Sequence, residues 1–211
     1  MLAAWHGLAA GAIMAKALLA QYLLQDAWDA AQAGEANPKP WPWADMWPVA
    51  RLRFESRGQD LIVLSDATGR SLAFGPGLSG DILPGEPGHS VVAGHRDTHF
   101  SFLEEVRPGD RFSVELADGV RRAFRVIDVA IVDSSTTRIN TAMENRILSL
   151  VTCYPFASVE PGGPLRYVVI SQPDVEPEMR DALSGFDLLD LAGGTGILHA
   201  RATRSGPTSA I

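Results

Sequence analysis

Apolar and polar positions alternate differently in the two parts of this chain. Near the N-terminus the pattern is close to continuous. Leu2 to Ala15 carries only His6 as a titratable group, Lys16 interrupts, and Ala17 to Leu24 is again apolar apart from Gln21. From there Leu18, Tyr22 and Trp28, with Leu19 and Leu23, recur at helical spacing, which predicts a helix running to about Ala33. From Val49 the period drops to two and turn residues punctuate it. Val49–Phe54 and Leu61–Leu64 read as strands around Ser56–Asp60. A further turn at Asp66–Gly69 precedes Leu72–Ser79, which reads as a short helical or irregular crossing, and His89–Ala93 is a core strand. Phe100–Val106 suits one or two helical turns and ends at the turn signal Arg107-Pro108-Gly109-Asp110. Phe112, Val114 and Leu116 then alternate with Arg111, Ser113 and Glu115, and Asp118-Gly119 turns the chain back into a long strand or strand pair over Val120–Val132. A polar surface loop over Asp133–Asn145 leads to two last strands, Ile147–Val151 and Arg166–Ile170.

This divides the chain into four parts: an N-terminal hydrophobic helix (1–33), a Pro/Trp-rich linker (34–48), a β-domain (49–171) and a tail (172–211). Pro38, Pro40 and Pro42 forbid helix in the linker, while Trp41, Trp43 and Trp47 either pin it to the domain or sit at a lipid–water boundary. A membrane span needs about 20 apolar residues, and a lysine near its centre costs roughly 2.5–3.5 kcal/mol, so residues 1–24 make a marginal span. With no basic leader and no unmistakable Ala-x-Ala exit, an uncleaved membrane anchor is the first expectation, and an amphipathic surface helix the second. The tail has six acidic and three basic residues, a candidate short helix over Pro177–Leu189, and Gly193-Gly194-Thr195-Gly196. Short strands with turn signals between them imply an all-β barrel or sandwich.

Composition narrows the function. Hydrophobic residues make up 46% of the chain and charged residues 20%, which suits a packed core. Eighteen basic against twenty-five acidic residues, with no dense Lys/Arg cluster, argues against nucleic-acid binding. A single cysteine, Cys153, excludes an internal disulfide, a CxxC redox pair and a multi-cysteine zinc site.

That cysteine ends an apolar strand, and Pro155 stops regular pairing just after it. A thiol is thereby delivered to the rim of a sheet. Arg166 opens the next strand thirteen positions on, after the turn Pro161-Gly162-Gly163-Pro164. Two strands so joined lie about 5 Å apart, so thiol and guanidinium can share a pocket. Upstream, Ser90-Val91-Val92-Ala93-Gly94-His95-Arg96-Asp97-Thr98 is an apolar strand running into Gly and His. The ordered set of a Gly-His segment, Ser149-Leu150-Val151-Thr152-Cys153 and Arg166 resembles the sortases, with Ser149 where that family's motif begins with Thr. The resemblance covers Val49 to Ser171, and includes Leu72–Gly77 and Leu83–Gly88. The runs Ala-Gly-His-Arg-Asp-Thr and Thr-Cys-Tyr-Pro-Phe look most like the sortases of Gram-negative bacteria.

The resemblance implies an eight-stranded β-barrel with short helices, the 133–145 loop walling a substrate groove, and a cysteine transpeptidase without cofactor or metal. Cys153 would attack a backbone carbonyl in the C-terminal sorting signal of a target protein, His95 would serve as acid and then base, and Arg166 would hold the oxyanion or the substrate backbone. Asp97, Thr98, Thr152 and Tyr154 would line the substrate site. An amine acceptor at the cell envelope would resolve the thioester. The catalytic domain would face the periplasm or cell exterior from the inner membrane. Two alternatives remain open at this stage: a hydrolytic cysteine peptidase, and a non-catalytic extracytoplasmic β-domain with a buried thiol. A zinc site on His89, His95 and His99 is disfavoured, since His95 and His99 have helical i,i+4 spacing but no Glu follows His95 and a β-run precedes it.

Overall fold

In the computed structural model, residues 2–141, 144–158 and 162–174 are described, with side chains from Ala15 onward. Helix α1 (Leu2–Gln32) is followed by eight strands: β1 (Pro48–Phe54), β2 (Gln59–Leu64), β3 (Gly77–Leu78), β4 (Gly88–Ala93), β5 (Arg111–Leu116), β6 (Arg121–Asp133), β7 (Arg146–Cys153) and β8 (Leu165–Pro173). Short 3-10 turns occupy Ser71–Ala73 and Ser101–Glu105, where the sequence pattern had pointed to a helical or irregular crossing and to helical turns. The stretch expected to be either one strand or two is a single thirteen-residue β6, bent by a register irregularity between Val126 and Asp128.

The strands close into a barrel in the order β1-β2-β3-β4-β7-β8-β6-β5. The period-two pattern explains the inside. In β1 the positions Ala50, Leu52 and Phe54 are buried and alternate with Val49, Arg51 and Arg53. Phe54, Phe112 and Phe124 stack across β1, β5 and β6 with centroids 4.4 and 5.5 Å apart. Leu148 and Leu150 of β7 and Val169 of β8 complete this core. A second apolar cluster, Ile147, Val168 and Ile170, lies on the other side of the same strands, so the β7–β8 face outside the barrel is itself covered.

Most neighbours pair antiparallel, but β4 and β7 run parallel, in register from Gly88 opposite Arg146 to Ala93 opposite Val151. Both chains therefore leave the sheet at the same end, and this places the candidate chemistry.

Helix α1 packs on the barrel through only part of the stripe its spacing suggested. Ala20, Leu24, Ala27, Trp28 and Ala31 are buried, while Leu18, Leu19 and Tyr22 are exposed. Three alanines on one face let the helix lie close, and Leu24 and Trp28 fill the gap. No helix among the described residues is long and apolar enough to cross a membrane. The 34–48 segment is fastened rather than free: Pro38, Pro40, Ala44 and Met46 are buried, and Trp41 meets Phe74 edge-on at 4.9 Å. Trp43, by contrast, is 80% exposed. Beyond β8, Asp174 pairs with Arg111 and Arg125 at 2.7 and 2.8 Å. The expected helix over 177–189 lies outside the described residues.

Candidate active site

Cys153 is the last residue of β7, and the strand's alternation fixes where it points. Leu148, Leu150 and Thr152 face the barrel core, so Ser149, Val151 and Cys153 face outward. Arg166 sits directly opposite Cys153 on β8, and opposed residues in an antiparallel pair present their side chains on one face. On the other flank, the parallel ladder continues past Ala93: the Gly94 N–H donates to the Val151 carbonyl at 3.0 Å. His95 follows at the level of Cys153. The neighbouring ends of β4, β7 and β8 therefore carry or lead into His95, Cys153 and Arg166, with the cysteine's strand in the middle. His95 is exposed, and Cys153 and Arg166 are half-buried.

Thr152, expected among the substrate contacts, has a different position. It is 2% exposed, and its hydroxyl donates to the Gly94 carbonyl at 2.7 Å. Gly94 is thus tied to β7 through both its N–H and its C=O, which fixes the residue before His95 against the residue before Cys153. A side chain at Gly94 would put its Cβ 2.7 Å from the buried Phe100 ring, so this approach requires glycine. The Phe100 N–H returns to the His95 carbonyl at 2.9 Å and closes the following turn.

Asp97 and Thr98 are exposed in that turn, on the same rim as His95. Tyr154 is half-buried and lies parallel to Tyr167 with centroids 6.3 Å apart, and Phe156 meets Tyr167 edge-on at 5.0 Å. Tyr167 sits opposite the inward-facing Thr152, and Tyr167 and Phe156 pack against the barrel core rather than on the face of the thiol. Burial pushes the Tyr167 hydroxyl above its usual pKa. Arg166 turns Nη1 onto the carbonyls of Gly163 and Leu165, each at 2.8 Å, which orients the guanidinium at the strand mouth.

Reading the sequence alone missed three contributors. Arg96 Nη2 donates to the Ser158 carbonyl at 2.7 Å and links the turn after His95 to the loop after Cys153. Tyr167 and Phe156 pack on the barrel core beneath the strand ends that carry Cys153 and Arg166. All three are chain neighbours, within three positions, of residues the motifs singled out, and that proximity was the available signal. The histidines, meanwhile, diverge. The His89 ring meets Ser149 at 2.7 Å in the buried layer, whereas His99 lies toward His95 and Asp97. Burial, and to a smaller degree electrostatic repulsion from the neighbouring His95 ring, pull the His99 pKa below the usual histidine value against the opposing Asp97. Among the described residues no three His, Cys, Asp or Glu side chains gather closely enough to hold a metal ion.

A cavity of about 870 Å³ lies elsewhere, between α1 and the Trp41–Met46 segment, and none of Cys153, His95 and Arg166 lines it.

A family model described as "Sortase domain" matches residues 52–174. The chain is 38% identical over 87 residues to Sortase D of Bacillus subtilis (strain 168), a match that spans 41% of this chain and 43% of that protein. In fold it is similar to Sortase A from Corynebacterium diphtheriae, at 22% identity and a TM-score of 0.55, covering 66% of each chain. It is also similar to Clostridium perfringens sortase C with the C-terminal cell wall sorting motif, at 17% identity and a TM-score of 0.54, covering 76% of this chain and 90% of that one.

Proposed function

This chain belongs to the sortase family, and from that we propose that it is a cysteine transpeptidase acting on a target protein with a C-terminal sorting signal. The reading is supported by one observation: the neighbouring ends of β4, β7 and β8 carry or lead into His95, Cys153 and Arg166, with Cys153 directly opposite Arg166. In the proposed reaction the Cys153 thiolate attacks a backbone carbonyl carbon, a C–S bond forms, and the oxygen gains negative charge. Arg166 donates to that oxyanion, and its always-charged planar group suits the task. As the C–N bond breaks, His95 gives the departing amine its proton. An incoming amine then attacks the thioester and loses its proton to His95. The C–S bond breaks, and the thiolate is restored.

Asp97, Thr98 and Tyr154 are proposed as rim contacts to the peptide. Thr152 is proposed as a positioning residue, because its hydroxyl is committed to Gly94. The Ala-Gly-His-Arg-Asp-Thr and Thr-Cys-Tyr-Pro-Phe runs favour a place among the sortases of Gram-negative bacteria. A catalytic domain facing outward from the inner membrane, with an amine acceptor in the envelope, belongs to the same proposal. Exposed Leu18, Leu19, Tyr22 and Trp43 beside Lys16 suit a lipid–water boundary better than a span.

Mass spectrometry of the full chain incubated with sorting peptides tests the reading. A thioacyl adduct on Cys153, absent from Cys153→Ala and released by added amine as a ligated product, is the expected result. Adduct resolved by water alone, with amine ignored, would leave a peptidase. No adduct with any sorting peptide would remove the acyl-transfer reading.

A further inference from the structure

His89 lies on the outer face of β4, the face to which Cys153 belongs on β7, yet it takes no part in the proposed chemistry. It is 8% exposed, and its Nε2 is 2.7 Å from the hydroxyl of Ser149, which is itself fully buried. The ring also hydrogen-bonds the backbone of Asn140, in the segment between β6 and β7. The backbone follows suit: the His89 N–H donates to the Thr141 carbonyl at 3.2 Å, and the Gly88 N–H to the Asn145 carbonyl at 2.9 Å. Gly88 is at φ +120°, and a Cβ there would sit 3.0 Å from the Thr141 carbonyl oxygen, so the segment presses onto β4 as closely as a glycine permits. One imidazole therefore joins three elements: β4, which bears it, β7 through Ser149, and the 134–141 segment through Asn140.

Ser149 and Cys153 share the outer face of β7, four residues apart, which is about 13 Å along a strand. An extended peptide with its scissile carbonyl at Cys153 that runs back along β7 would meet the segment covering Ser149 about four residues from the cut. We propose that His89, held by Ser149, is a positioning residue that clips the 134–141 segment over this face and so sets affinity for the part of the substrate about four residues from the scissile bond. The proposal rests on the acyl-transfer reading above. It concerns recognition and leaves the bond-making groups untouched.

The numbers follow from population. If loss of the clip leaves the segment seated about one-tenth of the time, apparent affinity falls about tenfold, while the chemistry of the seated fraction is unchanged. The variants are His89→Phe, which keeps a buried ring and deletes the polar contacts, and Ser149→Ala, which deletes one hydroxyl. Three readouts are taken on the full chain: amide exchange over 134–141 by mass spectrometry, KM and kcat with a sorting peptide, and the alkylation rate of Cys153 by iodoacetamide. The expected result for His89→Phe is about tenfold faster exchange confined to that segment and a KM raised about tenfold, with kcat and alkylation within about threefold of wild type. Ser149→Ala moves the same readouts in the same direction, and the double variant does no worse than His89→Phe, since the two side chains act as one unit. Unchanged exchange, an unchanged KM, or a fall in kcat and alkylation at constant KM would each overturn the proposal. If wild-type protein turns over no sorting peptide, the acyl-transfer reading fails on its own, and the exchange readout still decides whether the clip exists.

Discussion

Replacing Thr152 with valine tests how the site is held together. Valine has nearly the volume of threonine, so the buried space stays filled and the change is confined to one hydroxyl. That hydroxyl donates to the Gly94 carbonyl at 2.7 Å. Its loss leaves the carbonyl without this donor inside a buried layer, at a cost of about 1–3 kcal/mol. For a domain of this size each kcal/mol moves Tm by roughly 2–4 °C, so a fall of about 4–8 °C corresponds to a mid-range cost of about 2 kcal/mol. The effect on rate is expected to be larger, because Gly94 immediately precedes His95. A shift of about 1 Å in a positioned acid or base costs up to roughly 10²-fold. If Thr152 positions, kcat falls and KM stays near wild type; if it contacts substrate, KM rises instead. Thr152→Ser keeps the donor and loses one methyl, so it should retain most of the rate. Thermal unfolding, peptide turnover and alkylation of the single thiol measure these effects. A valine variant with wild-type Tm and kcat, or a serine variant as impaired as the valine one, would refute the hydrogen bond as the cause.

Three further outcomes are expected. Arg166→Lys keeps the charge but loses the planar fork, so it should lose about 10²–10³-fold in kcat/KM, much as Arg166→Ala does, and near wild-type turnover in the lysine variant would reduce Arg166 to a charge. Gly94→Ala drives its Cβ into the Phe100 ring and should destabilise by about 1–3 kcal/mol, seen as a lower urea midpoint together with slower turnover; a wild-type midpoint would refute the close packing. Burial lowers the His89 pKa to about 4. The unfolded chain, with a value near 6.5, therefore binds more protons between these two pH values. Stability should then be fully present above about pH 6.5, fall as pH drops toward 4, and level off below, with roughly 2 kcal/mol lost between about pH 7 and pH 5. Urea titrations of wild type and His89→Phe measure this, and equal pH slopes in the two would exclude His89 as the origin.

Much of the barrel was legible because its signals are local. Alternating apolar residues mark Phe112–Leu116, glycine and proline mark the turns, and Cys153 before a proline stands out wherever it occurs. The opposition of Cys153 and Arg166 was also readable, since one short loop joins two consecutive strands. Even the inward direction of Thr152 was available, as it shares parity with Leu148 and Leu150, although the motif drew attention to it as a substrate contact. What the chain's pattern could not specify was which distant elements pair. The parallel ladder of β4 and β7 joins segments some 58 residues apart and depends on closing the barrel, which brings Gly94, the residue before His95, alongside the end of the cysteine strand. The same closure puts His89 against Ser149 and folds the 134–141 segment over both. It also decides that α1 buries its alanine face and leaves Leu18, Leu19 and Tyr22 outside, because a close-packed wall admits small side chains where helical spacing alone favours large ones.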